Sequence, residues 1–444
     1  MLARRSRGLG SLALLALLLA APAVARARFG LFGSSGGGAT EVTRVQDKHR
    51  AGVSEVSGLC HADDVRQDYS WMDVVIVMVA PVCTTKEVVS TLRYNFQFRR
   101  VYFIVKDERF CPYLREMADD GYIVCLDENK VLPGVTHSSL MKESDGLIKN
   151  SQQSNRVGWY LQQYLKLGVS LHIEDLSDYY LVWDADNLST RPIKLFNGAA
   201  PNGRRRVSFC ANPVSHKSTS YAKFYQMMMG KPLLRPSGLK SLDATPEDSR
   251  VPGKLHNFVC GYMVMHRPHV KSMLEEASAT IRQRYGGGET RGFPWDIHRL
   301  ANEVVPNAWF SEYDTYGSYV RSTYPEEFHV DYGLVYNRNA AANIATAPPK
   351  GGGKRKGGGD DRLPRFSCCL THKRICSLGK LPASGGVKND GVHIVIWEEH
   401  KMRYRGGQSQ CTDALPAALE RAVDAVGHGV TLSSAKTVDA QSRV

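Results

Sequence analysis

Two carboxylates one residue apart, Asp184 and Asp186, end the apolar run Tyr179-Tyr180-Leu181-Val182-Trp183. Burying Leu181, Val182 and Trp183 anchors this segment in a core, whereas the acids must emerge where water, a cation or a ligand satisfies them. On a strand that stays extended through the pair, both side chains point the same way, roughly 7 Å apart at the Cα level. Like charges so placed repel by on the order of a few kcal/mol at an effective protein dielectric. A divalent cation turns that repulsion into attraction, and hard carboxylate oxygens suit Mg²⁺ or Mn²⁺. The spacing predicts a metal held at the carboxyl end of a strand, placed to bind a diphosphate.

Other chemistries use the same pair. An EF-hand loop would put Asp184 and Asp186 at its first and third positions, but Ser189 stands where glycine belongs and Leu195 where the bidentate glutamate belongs. A phosphatase of the haloacid-dehalogenase kind, with Asp184 as nucleophile, also follows an apolar strand with Asp-x-Asp. That nucleophile sits on the first strand of its domain; here at least three strand-like runs come first, and Leu188 replaces the expected hydroxyl. A pair of aspartates capping a turn is the plain structural alternative. Strand position favours a nucleotide-sugar site.

The elements that must position this pair are legible from periodicity. Asp73 to Val79, Val101 to Val105 and Tyr122 to Leu126 read as continuous apolar strands; Thr85 to Phe96 reads as a helix with Val88, Leu92 and Phe96 stacked at four-residue spacing. Asn155 to Leu167 is an amphipathic helix before the acidic strand. Beyond it, Val207 to Ala211 and Phe258 to Met265 read as strands, Tyr221 to Met229 and Val270 to Ala277 as helices, and residues 231–255 as a polar loop able to cover a site. Helices alternating with fully apolar strands predict an α/β fold with a mixed, mostly parallel sheet covered by helices on both faces.

The chain has 444 residues and a net charge of +13, which favours anionic partners. Nucleic acid is not among those expected, since there is no finger spacing, sustained basic helix or interleaved Arg/aromatic array. Residues 1–25 combine a basic start with an uncharged Leu/Ala-rich run and the small-residue site Ala23-Val24-Ala25, as in a signal peptide or a short type II signal anchor. Either places the body of the chain in the secretory pathway, in the Golgi or ER lumen or secreted, with membrane anchoring through the N-terminus in the second case. Ten cysteines suit an oxidising lumen, with buried thiols the alternative for Cys83, Cys125, Cys210 and Cys260. Residues 26–70 read as a stem, 71–347 as a single catalytic domain, 348–367 as a low-complexity insertion, 368–406 as the rest of that domain with a strand at His393 to Trp397, and 407–444 as a polar tail with one helix at Leu415 to Val426. Cys368, Cys369, Cys376 and His372 form a weak zinc pattern.

Three segments carry a family resemblance: Arg156-Val157-Gly158-Trp159-Tyr160-Leu161-Gln162-Gln163 with Leu165-Lys166-Leu167, then Leu181 to Pro192, then Phe310 to Tyr319. In this order the chain resembles GT-A-type glycosyltransferases, with their Rossmann-like fold and D-x-D motif, and in particular a largely bacterial family of glycosyltransferase-like proteins. The resemblance covers about residues 72–322. It implies that Asp186 ligates Mn²⁺ or Mg²⁺ bridging the phosphates of a nucleoside-diphosphate sugar, and that Asp184 contacts ribose or the metal through water. It implies transfer to a glycan, protein or lipid acceptor; a non-catalytic glycan-binding protein of the same fold is the other alternative.

Further residues have two readings each. Arg156, sharing a helix face with Trp159 and Gln163, is a diphosphate contact or a solvated first-turn cation. Gly261 permits close approach of a ligand, or marks a bulge. Glu312 and Asp314 are candidate bases for an inverting reaction, with Asp296 a rival, while Ser311 and Asp314 also fit a capping box. His393 and His400 are metal ligands by analogy or surface histidines. The sequon at Asn187-Leu188-Ser189 is expected to stay empty, because a glycan would block the site.

Overall fold

The computed structural model describes residues 64–81, 84–118, 121–144, 156–214, 219–236, 255–288, 291–304, 309–332, 336–337 and 394–396. Outside these lie the leader and nearly all of the stem, most of the 231–255 loop, the low-complexity insertion, the Cys368/Cys369/Cys376 cluster, His393, His400, Cys83 and the tail with its helix. In chain order the elements are β1 (Gln67–Met78), α1 (Thr85–Asn95), β2 (Phe96–Val105), α2 (Cys111–Arg115), β3 (Ile123–Asp127), α3 (Glu128–Val131), α4 (His137–Glu143), α5 (Val157–His172), β4 (Tyr179–Trp183), β5 (Asn187–Ser189), β6 (Phe196–Ala199), β7 (Arg205–Cys210) and β8 (Asn212–Val214). Then follow α6 (Thr219–Met229), β9 (Leu255–Asn257), β10 (Tyr262–His266), α7 (Arg267–Arg284), α8 (Trp295–Val304), α9 (Glu312–Thr323), β11 (Phe328–Asp331), β12 (Tyr336–Asn337) and β13 (Ile394–Ile396).

The central sheet has the order β3-β2-β1-β4-β10. β1 pairs in parallel with β2 and β4, β2 pairs in parallel with β3, and β10 joins the edge antiparallel. The fold is therefore mixed α/β with a mostly parallel sheet. Met72 to Val77 and Tyr180 to Trp183 are almost wholly buried, as expected for strands covered on both faces. α5 packs on β1, and α7 and α9 pack on β10.

Asp73, midway along β1 and paired with Arg100 of β2 and Tyr180 of β4, pins these strands together. Its inaccessible carboxylate takes a two-pronged contact from Arg99 of β2, at 2.9 and 2.5 Å, and the Ser177 backbone N–H at 2.9 Å. Ser177 Oγ in turn accepts from Asp73 N at 2.8 Å, so β1, β2 and the entrance to β4 are held in register. The bidentate geometry and the extra donor are what let a buried charge be tolerated here.

Several boundaries differ from the sequence expectation. β1 begins at Gln67, inside the expected stem, because Tyr69 alternates inward and stacks near Phe96 and Phe98 while its polar neighbours face out. α5 and α7 run past the expected Leu167 and Ala277, to His172 and Arg284. The expected strand from Phe258 starts only at Tyr262, since Phe258 to Gly261 form a bend. β7 leaves the central sheet and pairs with β6 and β11 in a separate three-stranded sheet.

Cys111–Cys125 and Cys210–Cys260 are disulfides, so Cys125, Cys210 and Cys260 are not free thiols. The second closes a separation of 50 residues, for which chain entropy gives about 4 kcal/mol. Non-reducing peptide mapping of the native protein should recover both linked pairs. Replacing Cys210 and Cys260 by alanine together should lower stability by about 2–4 kcal/mol in denaturant titration.

Candidate functional site

β4 ends at Trp183, and the chain turns at once: Asn187 N–H donates to Asp184 O at 3.0 Å. Asp184-Ala185-Asp186 is thus a tight turn, not the extended continuation expected from the sequence. The turn wins because Trp183 Nε1 donates to Asn187 O at 3.0 Å, folding the chain back into β5. Gly261 frames the other side, its carbonyl accepting from Asp184 N and from Asn187 Nδ2, both at 2.7 Å. Asn187 is fully buried and engaged in this way, which leaves no room for a glycan on its amide.

Gly261 has φ +76°, and a Cβ there would lie 2.4 Å from Asn187 Nδ2. Only glycine combines that backbone conformation with so close an approach. Its place is set from α9. Phe258 lies flat on Gly317, where a Cβ would meet the ring at 2.5 Å, and Phe258 N donates to Asp314 Oδ1 at 2.8 Å. Cys260 is tied to Cys210.

Beneath the turn lies Lys166, named in the sequence only within a resemblance-bearing segment and given no role there. Its Nζ is 2.6 Å from Asp184 Oδ1, 2.7 Å from Glu312 Oε1 and 3.4 Å from the Tyr313 hydroxyl. Tyr313 also donates to Asp184 Oδ1 at 2.7 Å. The lysine side chain is 4% accessible and Asp184 26%, so the cluster opens to solvent on the Asp184 side alone among these partners. Burial alone would depress the ammonium's pKa; Asp184 and Glu312 overcome it and hold Lys166 above its ordinary value. Burial pushes Glu312 up, with Lys166 drawing it back and Asp184 adding to the rise.

One ammonium does not balance two carboxylates, and Asp186 adds a third acid in the half-buried turn. Lys166 and Tyr313 both bond Asp184 Oδ1, leaving Oδ2 as the oxygen for a ligand. Net negative charge with hard oxygen donors suits a divalent cation. The chemistry of these donors therefore fits a hard divalent cation such as Mn²⁺ or Mg²⁺.

Glu312 N–H, at the start of α9, donates to Gln163 Oε1 at 3.0 Å, locking α9 to α5. Ser311 caps α9 by accepting from Asp314 N at 3.3 Å. The reciprocal half of the expected capping box does not form, because the Asp314 carboxylate turns to Phe258 N. Burial raises the Asp314 pKa to about 6. Glu312 and Asp314 are 4% and 3% accessible. Arg156, at the start of α5, lies over the Trp309 ring at 3.7 Å and near Trp159 at 5.9 Å, while Gln163 serves α9 instead.

Asp296 is elsewhere. It lines a cavity of about 390 Å³ with Glu143, Tyr285, Arg291, Trp295 and Arg299 among its walls, and its Oδ1 accepts from Arg291 N at 3.2 Å. None of Asp184, Asp186, Glu312 or Asp314 lines that cavity. The role of Lys166 did have a sequence signal, a lysine set within the otherwise apolar run Tyr164-Leu165-Lys166-Leu167.

Among solved structures, mouse xyloside xylosyltransferase 1 in its apo form is similar at 14% identity, covering 60% of this chain and 85% of that one with a TM-score of 0.30. The mannosyltransferase Ktr4p from S. cerevisiae is similar at 9% identity, covering 64% and 76% with a TM-score of 0.31. No curated protein sequence matches significantly. A family model described as a family of unknown function, DUF6492, matches residues 89–324, from α1 to the end of α9, and so spans the acidic turn, Lys166 and Gly261. With more than half of its length matched, the chain belongs to the DUF6492 family.

Proposed function

We propose that the chain is a metal-dependent glycosyltransferase of the secretory pathway, moving a sugar from a nucleoside diphosphate to a glycan, protein or lipid acceptor. The observation that carries this reading is the position of the acidic turn. The chain runs outward through β1, β2 and β3, then returns to the other side of β1 as β4. Open α/β sheets bind ligands outside the carboxyl ends of the strands where the order reverses, and Asp184 and Asp186 follow β4 at that point. The two disulfides favour the oxidising compartment.

In this reading Asp186 holds Mn²⁺ or Mg²⁺, which when bound neutralises charge on the departing diphosphate. Asp184 Oδ2 accepts from the donor ribose while Lys166 and Tyr313 fix its other oxygen. Arg156 lies against Trp309 by its face, so its N–H edge stays able to meet a phosphate. Gly261 acts through the turn it frames. Enclosed and bonded inward, Glu312 and Asp314 serve as positioning groups: Glu312 sets Lys166, and Asp314 sets Phe258 and hence Gly261. An acceptor base at either position would need exposure that neither has, and a retaining reaction needs no such base.

Purified protein should hydrolyse or transfer from a nucleotide sugar with Mn²⁺, and Asp186→Ala should abolish this with the fold intact by circular dichroism. Activity that is metal-independent and unchanged in Asp186→Ala would refute the mechanism. Aryl-phosphate turnover lost in Asp184→Asn would favour a phosphatase instead. Glu312→Gln keeps an acceptor for Lys166 and should lose less than about tenfold in kcat, whereas loss of a general base costs about 10²–10⁴.

Lys166→Met should destabilise by about 3–5 kcal/mol in denaturant titration, because Glu312 is left as an uncompensated buried acid. The Asp314 carboxyl is raised from 3.8 to about 6, so the folded state holds this proton more tightly than the unfolded one. Its contribution is present below about pH 4 and is lost as pH rises through about 6. The Tm of Asp314→Asn relative to the native protein should therefore rise between pH 4 and 7; a constant difference would show that the carboxyl is not shifted.

A further inference from the structure

At the opposite end of β4 and β10, three buried side chains converge. They are His266, the last residue of β10, His269 in the first turn of α7, and Glu327 just before β11. One ligand-type atom from each lies within 4.8 Å of the other two. His266 pairs in register with Tyr179 at the start of β4, so the cluster stands about 16 Å along the strand from Asp184.

All three residues are at least nine-tenths buried, and among the described residues neither His266 Nδ1 nor Glu327 Oε2 has a hydrogen-bond partner, Oε2 facing only the His269 ring nitrogen at 3.3 Å. Leaving such atoms buried without a partner is costly, a penalty that a shared cation would remove. The rings are held in place, His266 stacked on Tyr179 at 4.4 Å and His269 on Tyr324 at 3.8 Å. Glu327 is oriented from behind: its Oε1 accepts from Asn202 Nδ2 at 2.7 Å and Arg204 Nη1 at 3.0 Å, as outer partners orient a ligating carboxylate. His269 Nε2 lies 3.3 Å from Glu327 Oε2 and 3.3 Å from Arg204 Nη1.

The geometry points to a transition-metal site in which His266, His269 and Glu327 ligate a Zn²⁺ ion. Two imidazoles and a carboxylate make a Zn²⁺ donor set and leave a fourth position for water or another small ligand. Burial first, then neighbouring groups including Arg204, push both histidines down to about 4, so at neutral pH both offer lone pairs. The alternative of a protonated histidine paired with Glu327 is disfavoured by the same environment. Arg204 is about half exposed and can leave His269 Nε2 as the ion enters while keeping Glu327 Oε1. The ion would staple β10, α7 and the start of β11, independently of the acidic turn.

The full chain, stripped with chelator, would be titrated with Co²⁺ as a spectroscopic stand-in and back-titrated with Zn²⁺. Expected are intense tetrahedral visible bands at one Co²⁺ per chain, their loss on adding Zn²⁺, and a Zn²⁺-dependent rise in Tm. His269→Gln and Glu327→Gln should lose the bands, Asp186→Ala should keep them, and Asn202→Ala should weaken Co²⁺ binding by about 10–100-fold because Glu327 loses an orienting donor. Absence of bands and of any Tm shift in natively folded protein overturns the site. So do bands that survive in a folded His269→Gln variant, or that disappear in a folded Asp186→Ala variant. If the ligand variants fail to fold, that weakening in Asn202→Ala locates the ion at Glu327, and an unchanged affinity overturns the site.

Discussion

A single buried ammonium holds the candidate site together. Lys166 rises from α5 between Asp184, at the end of β4, and Glu312, at the start of α9, and each contact is a short charge-assisted hydrogen bond. Desolvating three ions would be prohibitive without that mutual contact, and replacing any one leaves the others exposed to the low dielectric. The lysine fixes two consecutive elements, α5 and β4, in one arrangement with α9, whose Glu312 lies 146 positions away from it. Its shortfall of positive charge also leaves the solvent-facing rim acidic.

The fixed arrangement extends outward by backbone contacts. α9 receives Phe258 on Gly317 and Asp314, Phe258 leads within three residues to Gly261, and the Gly261 carbonyl holds both Asp184 N and Asn187 Nδ2. The turn is thus gripped from below by side-chain charge and from the side by main-chain hydrogen bonds. Preorganisation of this sort keeps the acidic turn in one fixed arrangement. Asp73, beside the start of β4, performs the complementary task of holding register through Arg99 and Ser177.

Much of this was readable in advance where burial sets the pattern. The strands centred on Val74, Phe103 and Leu181 are apolar throughout because both faces are covered, and periodicity finds such runs easily. The acidic pair stood out for the converse reason, two charges directly after a buried run. Periodicity has no access to long-range partners. Nothing local tells that Lys166 meets Glu312 across 146 positions, that Asp314 turns from its own cap to Phe258, or that Asp296 belongs to a different cavity. The extended geometry assumed for Asp184 and Asp186 failed because the Trp183 indole reaches forward to Asn187 and closes a turn that alternation alone would not anticipate.

The Cys210–Cys260 bond lies one residue from Gly261, whose carbonyl completes the frame of the acidic turn. Oxidation of that pair ties β7 of the smaller sheet to the bend that carries this carbonyl. The turn and the lysine beneath it are encoded by reduced chain, but their lateral clamp is braced by a covalent event that follows synthesis. Maturation of the site is in this way coupled to the redox history of the chain, and a molecule retained in a reducing environment would carry every residue of the site with its clamp unbraced.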